Sequence, residues 1–331
     1  MNCRDRHTLL AWRWLVSLCV VGMFLASSCG GSRSGDVRIS RFERVLFDTP
    51  DAVLVDSLAR FKKEHPTPLM RIYPNDEVYM GYVFDFRADS VVRMIDDTVR
   101  NRLGDLSWLE HDLSKALRRA SKMDSAIVYS DIITYIGGAG YASRVAADRY
   151  SHSLTISIDE YVAPQMARYG YFGEPMYIVR LCYPEYIVAD CMAEIARQHI
   201  ALPQGEMTML DYMVAEGKVQ YFLHEVLPNV HDTILLRYTP QQLDWMEDNE
   251  ANVWGYFVQQ KLLYEHDYSR LRNFIEDAPK TNAFQESAPR TAGYIGWRIV
   301  SRYAENKHLS LHELMEDTDA QNMLYESGYR P

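Results

Sequence analysis

The chain has 331 residues, 47% hydrophobic and 24% charged, with a formal net charge of −10. These proportions belong to a globular protein and exclude a low-complexity or disordered chain. The acidic balance argues against a nucleic-acid partner and against a basic face laid on a membrane.

The first residues carry Arg4, Arg6 and Arg13 against Asp5, and an apolar run from Trp14 to Ala26 follows. That run is short for a mature bilayer span, which takes roughly 20 apolar residues. A positive segment, a short apolar core and a small-residue exit form the layout of a secretory signal. The exit, Leu25-Ala26-Ser27-Ser28-Cys29, resembles the lipobox read by the bacterial lipoprotein machinery. Residues 1–28 are therefore predicted to be a signal peptide, and Cys29 the lipidated residue that anchors the chain to a membrane. Residues 29–36, with Gly30, Gly31, Ser32, Ser34 and Gly35, read as a flexible tether. Residues 37–331 are predicted to form a single domain. Of the remaining cysteines in that domain, Cys182 and Cys191, pairing is left open, because two cysteines make no disulfide scaffold.

Residues 37–48 are apolar and irregular and are predicted to be extended. Asp51 to Glu64 reads as a helix with Val53, Leu54, Leu58 and Phe61 on one side, stopped at His65-Pro66-Thr67-Pro68. Asp105 to Ser121 repeats Leu106, Leu109, Leu113 and Leu117 at helical spacing. Ala126 to Ile136 is rich in Ile, Val and Tyr and ends at the glycine turn Gly137-Gly138-Ala139-Gly140, a strand signal. Ser153 to Asp159 alternates Leu154, Ile156 and Ile158 against Ser153, Thr155 and Ser157, the pattern of a half-buried strand. Helices are predicted over 184–200, 208–226, 241–266, 292–306 and 310–316. The expected fold is α+β: a small, largely antiparallel sheet in the N-terminal half, then a mainly helical half.

Carboxylates on apolar helix faces mark candidate chemistry, because a bare buried carboxylate costs several kcal/mol. The helix around Asp190 is apolar over most of its circumference, leaving a strip of Asp190, Glu194, Arg197 and Gln198. On the 208–226 helix, Asp211, Lys218 and Glu225 mark the expected solvent side. Glu216 lies opposite, among Met209, Tyr212, Met213, Val219 and Leu223. Glu250 is a second buried carboxylate, on a face with Leu243, Met246, Val253, Trp254 and Phe257. Each has two readings: a structural pair, with Arg197 or Arg298 as partners, or a shared acidic pocket. No HExxH, GxSxG, Walker A or GxGxxG motif occurs, and the histidines have no metal-ligand spacing, so no catalytic residue, metal or cofactor is assigned.

A set of longer landmarks carries a resemblance. They are Ile39-Ser40-Arg41-Phe42-Glu43, Tyr183-Pro184-Glu185-Tyr186-Ile187, Glu216-Gly217-Lys218-Val219-Gln220-Tyr221, the run from Trp245 to Trp254, the run from Gly293 to Val300, and Ser327-Gly328-Tyr329. Together they resemble the gliding-motility lipoprotein B (GldB) family of the Bacteroidota, over nearly the whole chain after the signal. The resemblance implies a lipid-anchored envelope protein with a role in gliding or the linked type 9 secretion apparatus, working with other envelope proteins of that apparatus. It also implies a zincin-like fold, distantly similar to gluzincin metallopeptidases. In that comparison the first histidine position falls on Asp190, the general base on Cys191, the second histidine on Glu194 and the later glutamate on Glu216. Both histidines and the base are replaced, and an all-carboxylate set suits harder ions than zinc. The implied role is a non-catalytic accessory or scaffold component. The alternatives are a ligand-binding lipoprotein using the same cleft, and an atypical metal-dependent hydrolase with an acidic site. No acidic run follows Cys29 (Gly30, Gly31, Ser32, Arg33), which favours the outer membrane with the protein facing the periplasm.

Overall fold

A buried ion pair sets the first turn of the domain. Ile39–Arg41 forms strand β1, and the chain then coils into helix α1 (Phe42–Asp48). The computed structural model describes residues 37–138, 144–162 and 175–331. The predicted signal, Cys29 and tether, and Ala139 and Gly140 of the glycine turn, lie outside the described residues. The extended reading of 37–48 holds only for β1. Beyond it Glu43, Leu46 and Phe47 fall on one helical face, and Glu43 is fully buried. Its carboxylate accepts from Arg41 Nε at 2.7 Å and from the Thr134 hydroxyl at 2.9 Å, so the helix is locked to the strand beside it.

Helix α2 (Asp51–Glu64) follows, with the predicted bounds. Helices α3 (Glu77–Ala88) and α4 (Ser90–Leu103) were not legible from spacing. Both start on an aspartate whose carboxylate accepts backbone N–H groups, Asp76 for α3 and Asp89 for α4, the usual way to satisfy a helix N-terminus. Helix α5 (Ser107–Met123) buries Leu109, Leu113 and Leu117, as its leucine spacing predicts.

Strands β2 (Asp131–Tyr135), β3 (Val145–Asp148) and β4 (Ser153–Ser157) complete a four-stranded sheet in the order β1-β2-β4-β3. The sheet is mixed, not largely antiparallel. β1 with β2 and β2 with β4 are parallel, in register Ile39↔Ile132 and Ile132↔Leu154, and only β3 with β4 is antiparallel. The reason is connection length: a helical excursion carries the chain from β1 back to a parallel β2, whereas β3 and β4 are joined by a tight turn. β4 is buried at all five residues despite its alternating sequence. Its serines are covered and satisfied, Ser153 by the Thr67 hydroxyl at 2.6 Å and Ser157 by donation to Asp159 at 2.8 Å.

The short helix α6 (Met176–Val179) leads into α7 (Ile187–His199). Next come α8 (Met209–Val226), the short α9 (Asp232–Leu235), α10 (Pro240–Gln259), α11 (Tyr268–Ile275), α12 (Thr291–Lys307), α13 (Leu311–Glu316) and α14 (Ala320–Ser327). Reciprocal capping boxes open α8, α10 and α13, at Thr208–Asp211, Thr239–Gln242 and Ser310–Glu313. Residues 37–331 cluster as one compact unit, and the fold is α+β.

Two apolar cores meet on α8. Its first turns (Met209, Leu210, Met213, Val214) belong to a core with α10, α11, α12 and α14. Its last turns (Val219, Phe222, Leu223, Val226) belong to the core that holds the sheet, α2, α4, α5 and α7. Between them α8 crosses α12 at glycines. A Cβ on Gly296 would stand 1.7 Å from the Met213 carbonyl oxygen, and one on Gly217 would stand 2.4 Å from the Gly296 carbonyl. Because α8 is packed on nearly all sides, the predicted faces are reversed at two positions. Lys218, expected in solvent, is 1% exposed, and its ammonium donates to the carbonyls of Met315, at 3.2 Å, and Asp317. Glu216, expected on the apolar side, keeps a side chain 30% exposed.

Gly296→Ala is expected to force α8 and α12 apart and cost about 3 kcal/mol or more, the upper range for overpacking; thermal or denaturant unfolding measures it. Burial also pulls the Lys218 ammonium down from 10.5 to about 8. A lysine depressed in the folded state binds fewer protons than in the unfolded chain between these values, so folding gains stability as pH rises through that window. The unfolding free energy of the native protein should rise by roughly 2 kcal/mol between about pH 8 and pH 9.5 from this group, and the rise should vanish in Lys218→Met.

Candidate functional site

The polar strip of α7 faces a cavity of about 490 Å³, within the range of small-molecule sites (~300–1,000 Å³). Asp190, Glu194 and Arg197 line one wall from α7, and Gln220 and Leu223 come from α8. Arg144 and Glu160 come from the sheet side, Arg237 from the loop after α9, and Asp277 and Arg290 from the loop between α11 and α12. Among the described residues, four guanidinium groups thus line the cavity with four carboxyl groups.

Asp190 is engaged within the fold. Its carboxylate accepts from the Tyr161 hydroxyl at 2.9 Å and from Arg237 Nη1 at 3.3 Å, with Arg144 Nη1 at 3.8 Å. Tyr161 is fully buried, and burial, together with the Asp190 charge, raises its phenol well above the ordinary value, so it stays a donor. Glu194 accepts from the Gln198 amide at 3.3 Å. Its carboxyl is raised by burial, which outweighs the nearby Arg197 charge and that hydrogen bond.

Glu216 is displaced from this group. It lines a small neighbouring recess with Gln220, Arg290 and Tyr294, and its carboxylate takes Arg197 Nη2 at 3.2 Å. Cys191 points into the core, fully buried, and its thiol is raised far above the ordinary range, first by burial and then by the Asp190 charge. Cys182 lines the cavity, donates to the Ile178 carbonyl at 3.4 Å and is pushed up by burial to about 11. Neither cysteine is in a disulfide. Glu250 does not line the cavity. Its carboxylate accepts from the Tyr329 hydroxyl at 2.8 Å and pairs with Arg298 Nε at 3.4 Å. Of the four positions set against a gluzincin site, the fold brings Asp190 and Glu194 to one cavity, turns Cys191 away and sets Glu216 beside it. Among the described residues no three His, Cys, Asp or Glu side chains are placed to share a metal ion.

Apart from Arg197, the arginines were not singled out by the sequence, because they are far apart along the chain. Arg237 and Arg290 both adopt left-handed backbone, at φ 59° and 48°, a conformation that costs roughly 1–2 kcal/mol in a residue with a Cβ. The turn at Arg237 is clasped by two guanidinium groups, Arg290 donating to the Leu236 carbonyl and Arg180 Nη2 to the Arg237 carbonyl at 2.7 Å, and the Arg290 carbonyl accepts from the Tyr238 hydroxyl at 3.4 Å. Asp277 sits between them, 3.6 Å from Arg237 and 3.0 Å from Arg290. Burial alone would raise its carboxyl, but Arg290, Arg237, Arg144 and Arg180 together hold it below the ordinary range. The one signal in the sequence is a lone arginine inside an apolar run, as in Ile234-Leu235-Leu236-Arg237-Tyr238.

The family model described as "Gliding motility protein GldB" matches residues 32–331. The chain belongs to this family. The match spans the sheet, α7, α8 and all the loops that bring arginines to the cavity, so the whole site lies inside the GldB region. No curated protein and no solved structure matches the chain. Among the described residues no helix is long and apolar enough to cross a membrane.

Asp190→Asn is expected to leave Arg237 with Asp277, at 3.6 Å, as its remaining charge partner. The loss should be about 1–2 kcal/mol, that of one hydrogen bond to a charged group, read as a lowered unfolding midpoint.

Proposed function

We propose that this GldB family member is a lipid-anchored, non-catalytic component of the envelope machinery for gliding and type 9 secretion. Residues 37–331 act as one domain on a tether from Cys29, at the outer membrane and facing the periplasm. The observation that carries the non-catalytic reading is the fate of three of the four candidate carboxylates. Asp190 is committed to Tyr161 and Arg237, Glu216 to Arg197, and Glu250 to Arg298 and Tyr329. A hydrolytic water would need a free base, and the base position holds a thiol sealed in the core. The family match and the signal pattern ending at Cys29 support the anchored envelope role.

Gene replacement tests both halves. Cys29→Ser is expected to release the protein from the membrane fraction and to abolish gliding or type 9 cargo export. Glu216→Gln, which keeps shape and removes charge, is expected to retain function at normal abundance. Wild-type behaviour of Cys29→Ser, or complete loss of function in a stably expressed Glu216→Gln strain, would overturn the proposal.

A further inference from the structure

The fold places the chain's entry into the domain at one end of the sheet. Val37 N donates to Ser114 Oγ at 2.8 Å and Ile39 N to Glu110 Oε1 at 2.9 Å. Helix α5 therefore runs antiparallel to β1 and carries Lys122, in its last turn, past the point of entry. Strands β1, β2 and β4 are parallel and all start at this end, and the turn between β3 and β4 lies there too. His65, just past the end of α2, meets Asp131 at the start of β2 at 2.6 Å. In the β3–β4 turn, His152 Nδ1 stands 3.0 Å from the Val128 carbonyl. The ends of α2 and α5, the segment before β2 and this turn thus share one surface with the entering chain.

That surface is aromatic and basic. Tyr150, in the β3–β4 turn, is 79% exposed and Val128 46%. Arg149 lies 4.9 Å from the Tyr150 ring centre and donates to its hydroxyl at 3.0 Å. Lys62, Lys63, Lys122 and Arg149 are all exposed. The acids on the same segments are mostly engaged. Asp131 pairs with His65, Asp148 accepts from the Ser151 N–H and Asp124 is buried against His312, while Glu64 is exposed. The net charge of −10 is therefore not spread evenly. Tyrosine rings, and cations on apolar stems, settle at the boundary between water and lipid. Each Lys or Arg beside an anionic lipid surface strengthens attachment about fivefold.

The tether decides what this surface can meet. Seven residues separate Cys29 from Val37, and a chain that short reaches at most about 28 Å. A compact domain of this size is roughly 50 Å across. A lipid on Cys29 would therefore keep the end that carries Val37 beside the bilayer and the opposite end away from it.

We propose that this end of the domain lies on an anionic lipid surface, with Tyr150 and Val128 at the interface and Lys62, Lys63, Lys122 and Arg149 on headgroup phosphates. The placement rests on the reading of Cys29 as the lipid anchor.

The test is a nitroxide label on the full lipidated chain, reconstituted in phosphatidylethanolamine vesicles that contain phosphatidylglycerol. Cys182 and Cys191 are buried, so an introduced cysteine takes the label. Ser130→Cys puts it on the exposed segment next to Val128. Glu185→Cys puts it just before α7, whose other end meets Arg149 through the Gln198 carbonyl. The label at 130 is expected to be shielded from a water-soluble relaxing agent about threefold or more relative to the label at 185, less than one basic contact supplies. Exchanging phosphatidylglycerol for phosphatidylcholine should remove most of that difference while the protein stays with the vesicles. Lys62→Gln, Lys63→Gln and Lys122→Gln together should do the same. Equal accessibility of the two labels, or shielding at 130 that neither change reduces, would overturn the proposal. A mass without lipid at Cys29 would overturn the anchor reading instead. The surface is then judged on the Cys29→Ser chain added to the same anionic vesicles at low salt, where absence of shielding at 130 would overturn it too.

Discussion

The close crossing of α8 and α12 is the constraint on which the rest of the domain depends. At Gly217 and Gly296 the two backbones touch, and neither position has room for a Cβ. That contact makes α8 a strut shared by both apolar cores, its first turns in one and its last turns in the other. Without it the C-terminal helices and the sheet would have no common rigid element. It also sets the cavity, since Gln220 and Leu223 project from α8 just past the crossing while Arg290 stands at the start of α12.

Around the cavity, charge is organised by enclosure. Asp190 and Asp277 each lie among several guanidinium groups, and those arginines in turn hold the backbone of the turn at Leu236 and Arg237. Ion pairs of this kind are costly to desolvate and are retained when they fix geometry. Here the paired Arg290 also holds the left-handed turn at Arg237, through the Leu236 carbonyl. The same enclosure pairs Asp190 with the Tyr161 phenol and the Arg237 guanidinium, and Asp277 with Arg237 and Arg290.

The chain belongs to the GldB family, whose match covers the whole described body. The shared strut, the buried Lys218 that ties α8 to the turn before α14, and the Tyr329–Glu250 bond near the C-terminus all serve rigidity.

Much of the local structure was legible along the chain. The leucine repeat of α5, the start and stop of α2 and the strand at 153–157 follow from periodicity and end chemistry, which act over a few residues. So does the polar strip of α7, which the fold turns onto the cavity. The sequence alone also determined the family landmarks and the signal pattern ending at Cys29, which no contact is needed to read. Tertiary structure decided what depends on distant neighbours. The burial of Lys218 and exposure of Glu216 follow from α8 being wrapped on both sides, which a single apolar stripe cannot express. The parallel pairing of β1, β2 and β4 follows from where α2–α5 return the chain. The arginine-lined cavity was hidden for the same reason: Arg144, Arg237 and Arg290 share no local pattern with the α7 strip, and only the fold makes them its neighbours.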